Sequence, residues 1–371
     1  MTAALGRKRA FLAVTAALAW PALGCTERVP LLSAVTYADA APEPEDAAPR
    51  PDRPADRAAR DSGLEARCSD FTQNVRIDSQ VPQVIVALDR SFSMFQHRAG
   101  KTWWVWVKQA LLDYMQSNEG AIEFGYEEFP GRFNCDPATG CCAGRVLVPP
   151  YLNSHWQIEH EWRCDGMSCF ETSIESPSGD ALGRIRSYYD GQRDPATHRF
   201  VLLVTDGEPS CAANTEECSD AGRQASQMFS INGVKTIVLP IGDEARASTC
   251  LEAVAVMGQT RQAGATSFPA VTDPTQLDAE LAKAMAPVEE RACRFVIRDN
   301  IKDPDELVVT VNFQPLDRDP MHQEGWDLDA GGSEIQLFGS VCKKLKCAQL
   351  ESRAIKAQVT CTQCGSNVTC P

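Results

Sequence analysis

Residues Gln83–Met94, QVIVALDRSFSM, decide how the chain is read. Five apolar residues, Val84 to Leu88, run without interruption into Asp89, and Ser91 and Ser93 follow at two-residue spacing. A short apolar run rich in β-branched side chains and closed by polar groups predicts a buried strand of a parallel sheet. Asp89 then stands where the strand leaves the sheet. In open α/β sheets the crevice at the carboxyl ends of the strands is where ligands bind. One carboxylate and two hydroxyls are hard oxygen donors, suited to Mg²⁺ or a similar ion rather than to zinc or copper.

Working outward, Lys101–Ser117 carries apolar residues at 104, 107, 111, 114 and 115, a helical period, and Ala121–Phe129 alternates as a strand does. Three tryptophans, Trp103, Trp104 and Trp106, are expected mainly to pack a core, although one narrow helix face cannot bury all three. The stretch Phe133–Phe170 reads as one strand, Arg145–Val148, plus a cysteine-rich insertion. Glu175–Leu182 (ESPSGDAL) follows, with Ser176 on a loop and Ser178 or Gly179 expected to cap a helix. Arg199–Val204 (RFVLLV) is a second buried strand, and Asp206 leaves it as Asp89 leaves the first. Thr236–Gly242 is a third, helices are expected over 219–230, 247–257 and 275–287, and Phe268–Val271 is a short strand. Strands alternating with helices predict an α/β fold: a doubly wound, mostly parallel sheet with helices on both faces, spanning residues 67–289.

From residue 290 to 371 the texture changes. Cys293–Arg298, Glu306–Asn312, Glu334–Phe338 and Ala354–Thr360 alternate without helical patterns between them, which predicts a small disulfide-rich antiparallel β module.

The chain has 371 residues, a formal net charge of −14 and 16 cysteines. The acidic balance argues against nucleic acid, which demands excess Lys and Arg. The cysteine count points to an oxidising compartment. The N-terminus agrees: Arg7-Lys8-Arg9 precedes a short apolar stretch, Ala10–Gly24, as in a secretory signal. Ala22-Leu23-Gly24-Cys25 resembles a bacterial lipobox, which implies lipidation of Cys25. Ordinary cleavage near Gly24 is the alternative, and an odd cysteine left over speaks for it. Residues 26–66, rich in Pro, Ala and charge, are expected to be a disordered tether. The expected location is the bacterial cell envelope, with the membrane reached only through a lipid anchor. A soluble secreted or periplasmic protein is the alternative.

Asp89-Arg90-Ser91-Phe92-Ser93, Ser176 to Leu182, and Thr205-Asp206-Gly207 together resemble the three loops of a von Willebrand factor type A domain. The resemblance covers roughly residues 82–288 and implies a metal-ion-dependent adhesion site made of Asp89, Ser91, Ser93, Ser176 and Asp206. The implied cation is Mg²⁺, with Ca²⁺ or Mn²⁺ as alternatives. The implied partner is a protein offering a Glu or Asp carboxylate to the metal. Ser176 replaces the usual threonine, and Phe92 stands where glycine is common, so the rim is expected to be bulkier. With two carboxylates and three hydroxyls, much of a dication's charge stays uncompensated and attracts an acidic oxygen from outside.

Other chemistries compete for the remaining residues. His155 and His160 lack the H-E-x-x-H spacing of a metalloprotease. Cys361-Thr362-Gln363-Cys364 is a C-x-x-C without a helix to activate a thiol. Combined with Cys342 and Cys347 it also mimics a zinc ribbon. In an exported chain disulfides are the stronger expectation for Cys135, Cys141, Cys142, Cys164, Cys169, Cys211, Cys218, Cys293, Cys342, Cys347, Cys361, Cys364 and Cys370, with Cys211 and Cys218 a candidate pair at the rim of the metal site. No nucleophile–base pair or phosphate loop is present, so the chain is expected to be a binding protein and not an enzyme. An envelope scaffold in which the metal only stabilises the fold is the alternative, and a thiol oxidoreductase at Cys361 and Cys364 is a further one.

Overall fold

A computed structural model describes residues 71–131, 141, 144–162, 174–192, 197–211, 216–262, 268–299, 301, 305 and 307–361. The strands are β1 (Phe71–Val75), β2 (Ile77–Ser79), β3 (Gln83–Asp89), β4 (His97–Arg98), β5 (Lys101–Thr102), β6 (Glu123–Phe129), β7 (Val146–Tyr151) and β8 (Arg199–Thr205), then β9 (Lys235–Pro240), β10 (Arg294–Ile297), β11 (Leu307–Val311), β12 (Gln314–Pro315), β13 (Gly325–Leu328), β14 (Glu334–Phe338) and β15 (Ile355–Cys361). The helices are α1 (Trp103–Asn118), α2 (His155–Glu161), α3 (Ser178–Tyr189), α4 (Glu217–Gln227), α5 (Gly242–Arg246), α6 (Thr249–Met257), α7 (Leu277–Glu289) and α8 (Gly339–Lys346).

The sheet that positions the site runs β7-β6-β3-β8-β9, parallel except for the antiparallel edge strand β7. Its apolar strands are buried because both faces are covered. Val84, Val86 and Leu88 share one core with Trp104, Val107 and Leu111 of α1 and with Leu281 and Met285 of α7. Ile85 and Ala87 face the other core, with Leu182 and Ile185 of α3, Ala221 of α4 and Leu251 and Val254 of α6. Each fully buried Val, Ile or Leu contributes roughly 1.5–3 kcal/mol. The chain is therefore an α/β protein with a doubly wound, mostly parallel sheet, as its apolar runs predict. Of the three tryptophans, Trp103 and Trp104 are buried and Trp106 is half-buried. Phe268–Val271 contributes only a bridge, Ile241 to Val271, and no strand.

Two other expectations change. The segment before β3, expected to open the parallel-sheet domain, pairs with the C-terminal strands instead. β1 lies antiparallel to β15, with Phe71 opposite Cys361, and β2 lies antiparallel to β10. The sheets β1-β15-β11-β12 and β13-β14-β10-β2 thus close around both ends of the described chain. The C-terminal region also contains a helix, α8, whose Leu345 is buried while its three lysines sit in the last turn. Its eight residues are too short for an apolar period to stand out.

Three disulfides join described cysteines: Cys141–Cys211, Cys218–Cys250 and Cys293–Cys342. Cys211 and Cys218 do not pair with each other. Cys218 lies in the first turn of α4, which packs on α6 and meets Cys250 there, leaving Cys211 to hold the foot of the insertion at Cys141. With Cys342 bonded to Cys293, the zinc-ribbon set is broken. Cys347 is disulfide-bonded as well. Cys25, Cys135, Cys142, Cys164, Cys169, Cys364, Cys370, the tether 26–66 and the side chain of Cys361 lie outside the described residues. Among the described residues no helix is long and apolar enough to cross a membrane.

Candidate functional site

β3 ends at Asp89 beside the end of β8, so the first and third loops leave adjacent strands on the same edge of the sheet. Asp89 is fully buried. Its Oδ1 accepts the Ser91 N–H at 2.7 Å, an Asx turn that starts the loop, and its Oδ2 accepts the Thr205 hydroxyl at 2.5 Å. The carboxylate is therefore fixed from both sides before any ligand arrives.

The hydroxyls extend the network towards the third loop. Ser91 Oγ lies 3.0 Å from Ser93 Oγ, and Ser93 Oγ donates to Asp206 Oδ1 at 2.7 Å. Ser176 reaches the cluster from the second loop, close enough for its hydroxyl to help hold down the Asp89 carboxyl. Its backbone is tied to the third loop by reciprocal bonds. Ser176 N donates to Ser210 Oγ at 3.0 Å, and Ser210 N donates to Ser176 O at 3.0 Å. A Cβ at Gly207 would sit 3.6 Å from Ser176 Oγ, so a bare backbone packs against this hydroxyl. All five residues selected from the sequence thus meet at one end of the sheet.

The start of α3, which follows Ser176, is built differently from the expectation. Neither Ser178 nor Gly179 caps it; Ser178 is already helical and Pro177 occupies the cap position without a side-chain bond. The buried Glu217 of α4 supplies the cap. Its Oε1 accepts the Gly179 N–H at 2.6 Å and the Asp180 N–H at 3.2 Å. An anion satisfies the orphan donors of a helix N-terminus and complements its dipole. A Cβ at Gly179 would lie 2.9 Å from that oxygen, which is why glycine stands there.

The electrostatics follow from burial. Desolvation raises the Asp89 carboxyl above its ordinary value, and hydrogen bonds from Thr205, Ser91 and Ser176 offset part of that rise. Asp206 is pushed up to about 7, first by burial and then by the negative charge of Asp89, with Glu244 adding to it and the Ser93 hydroxyl opposing it. Two repelling carboxylates among hydroxyl oxygens match the donor chemistry of a hard divalent ion. The set is mostly hydroxyl, so it contains no trio of His, Cys, Asp or Glu; none occurs among the described residues.

No protein-family model matches the chain, and no curated protein matches it. Solved structures do. Proximal thread matrix protein 1 from the mussel byssus, with a zinc-occupied MIDAS motif, is 19% identical over 60% of this chain and 51% of its own, with a TM-score of 0.38. Manganese-loaded TRAP protein of Plasmodium vivax is 13% identical over 59% of this chain and 78% of its own, at 0.39. The PilB minor pilin of Streptococcus sanguinis is 12% identical over 57% and 61%, at 0.41. The chain spans about half the length of the mussel structures it matches.

Three residues at the site carry roles that the sequence does not announce: Thr205, which holds Asp89; Ser210, which holds the Ser176 loop; and Glu217, which caps α3. A hydroxyl at the last position of a buried strand and an acid opening a helix are the only signals they offer. Around the cluster the rim is uneven. Phe92, next to Ser91 and Ser93, is 59% exposed. Glu208 and Glu244 are exposed on the β8 and β9 side.

Proposed function

We propose that this chain is a von Willebrand factor type A-like binding protein that recognises a protein partner through a divalent cation, Mg²⁺ or alternatively Mn²⁺ or Ca²⁺. The observation that carries the reading is the convergence of Asp89, Ser91, Ser93, Ser176 and Asp206 from three loops into one oxygen cluster whose two carboxylates repel each other.

In this reading Asp89, Ser91, Ser93, Ser176 and Asp206 hold the cation. The ion supplies a positively charged position, under-neutralised by its protein ligands, that an incoming Glu or Asp carboxylate can occupy. The remaining work belongs to the chain. Thr205 and the Ser91 amide orient Asp89, the Ser176–Ser210 pair holds the second and third loops in register, and burial strengthens every charge interaction there. Nothing in this arrangement requires a reaction, and the proposed role is recognition without catalysis.

The location proposed is the bacterial cell envelope, at the outer membrane or a periplasmic face, with Cys25 lipidated and residues 26–66 as the tether. Its support is the signal-like N-terminus and the disulfides. A mass shift on the N-terminal peptide, abolished by globomycin, is the expected result; an unmodified Cys25 contradicts the anchor.

The functional test is a pull-down from envelope extract with and without EDTA, using wild type and Asp206→Ala. Partner capture should need both the metal and Asp206. If Mg²⁺ raises the melting temperature while capture ignores EDTA, the cation is a structural element and the recognition mechanism is wrong.

A further inference from the structure

The DRSFS loop continues through a helical turn, Phe92–Phe95, into a hairpin that precedes α1. β4 and β5 pair His97 with Thr102 and Arg98 with Lys101, and Ala99 and Gly100 form the turn at φ of 49° and 85°. Two left-handed residues match the twist of a two-residue hairpin. The base of the hairpin is bonded to the site: Gln96 N donates to Ser93 O at 2.9 Å, and Trp103 N donates to Gln96 O at 3.3 Å. Its side is braced by α1, because Trp106 Nε1 donates to Arg98 O at 3.0 Å and Lys101 Nζ sits 4.5 Å over the Trp106 ring.

The braced hairpin is basic. His97, Arg98 and Lys101 are exposed, and neither Arg98 nor Lys101 forms an ion pair among the described residues. In a chain of net charge −14 this is a cationic knob left unpaired among the described residues. At roughly 3.3 Å per strand residue, the Arg98–Lys101 pair lies about 7 Å beyond Gln96 and on the order of 10 Å from the Ser93 backbone. Glu208 and Glu244, in the segments that follow β8 and β9, are exposed and carry the opposite charge.

We infer that the β4–β5 hairpin is a second subsite for an extended acidic protein segment. One carboxylate of the segment goes to the cation at the oxygen cluster, and a second acidic side chain two residues on, which an extended strand presents on the same face about 7 Å away, pairs with the long side chains of Arg98 and Lys101. This rests on the cation-dependent recognition proposed above and adds the partner's chemistry: two acidic residues spaced along one strand. Because Trp106 holds the hairpin in place, little ordering cost falls on binding.

The test uses fluorescein-labelled Gly/Ser peptides carrying one aspartate, or two aspartates two residues apart, and reads anisotropy on Mn²⁺-loaded protein in low salt. Wild type should bind the two-aspartate peptide about fivefold tighter than the one-aspartate peptide, the gain of two exposed charge pairs. The Arg98→Ser/Lys101→Ser variant should bind both peptides alike, and Arg98→Glu/Lys101→Glu should prefer the single aspartate. About 0.3 M salt should erase the wild-type difference by screening. Equal affinities in wild type, or no binding of either peptide to protein that demonstrably holds Mn²⁺, overturn the second subsite. Protein that binds no Mn²⁺ in a parallel titration overturns the cation site, and the second subsite with it.

Discussion

Thr205 Oγ1 donates to Asp89 Oδ2 at 2.5 Å between neighbouring parallel strands, and both residues are fully buried. The bond joins the first loop to the third at the level of the sheet itself. Thr205→Val keeps the shape but removes the donor, leaving a buried carboxylate oxygen short of one partner. Losing such a bond costs roughly 1–3 kcal/mol. Mn²⁺ affinity should fall about tenfold, and Thr205→Ser should restore it. Isothermal titration of the three proteins checks this; unchanged affinity in Thr205→Val would show that Asp89 needs no positioning.

The Asp206 carboxyl gives the metal-free protein a pH signature. Its ordinary value of 3.8 is pushed up to about 7, so across that window the folded state binds more protons than the unfolded chain. Stability of the metal-free protein therefore drops as pH rises through the window. A cation requires the ionised form, so binding should release a proton below about pH 7, and affinity should climb with pH and then level off. Asp206→Asn should flatten the stability profile. Titrations in two buffers of different ionisation enthalpy measure the proton release; none at about pH 6 would contradict the shift.

Phe92 lies outside the oxygen ring and is largely exposed. Replacing it by serine should leave Mn²⁺ affinity as it is and weaken partner capture severalfold, through loss of apolar contact at the rim. Tighter capture by Phe92→Ser would mean that the ring obstructs the approach.

Glu217 sits under the second loop. Glu217→Gln keeps the size but weakens the acceptor facing Gly179 and Asp180, so the melting temperature should drop by the equivalent of about 1 kcal/mol. The Ser176 loop loosens with it, and metal affinity should fall more than the stability loss alone explains. Thermal unfolding with and without Mn²⁺ separates the two effects; a variant as stable as wild type would show that the cap does not matter.

The candidate ring was legible because each of its members follows a local pattern. Asp89 and Asp206 end apolar strands, Ser91 and Ser93 follow at fixed spacing, and Ser176 precedes a helix start. What escaped reading depends on distant partners. Thr205 looks like any β-branched strand residue until Asp89 is placed beside it. Glu217 reads as an acid at its own helix N-terminus, yet it caps the neighbouring helix. The pairing of Phe71 with Cys361 spans most of the chain, and an antiparallel match of that range leaves no local trace. Cysteine partners are equally hidden, since spacing does not determine connectivity. Cys211 and Cys218 each find a partner to which spacing does not point.

The central claim is that the oxygen cluster holds a divalent cation. Mn²⁺ titration followed by electron paramagnetic resonance, on wild type and on Asp206→Ala, tests it most directly. Wild type should show one saturable site that Mg²⁺ displaces, and Asp206→Ala should lose that site while keeping the wild-type circular dichroism spectrum. No saturable binding by folded wild type, or equal binding by the variant, would contradict the account.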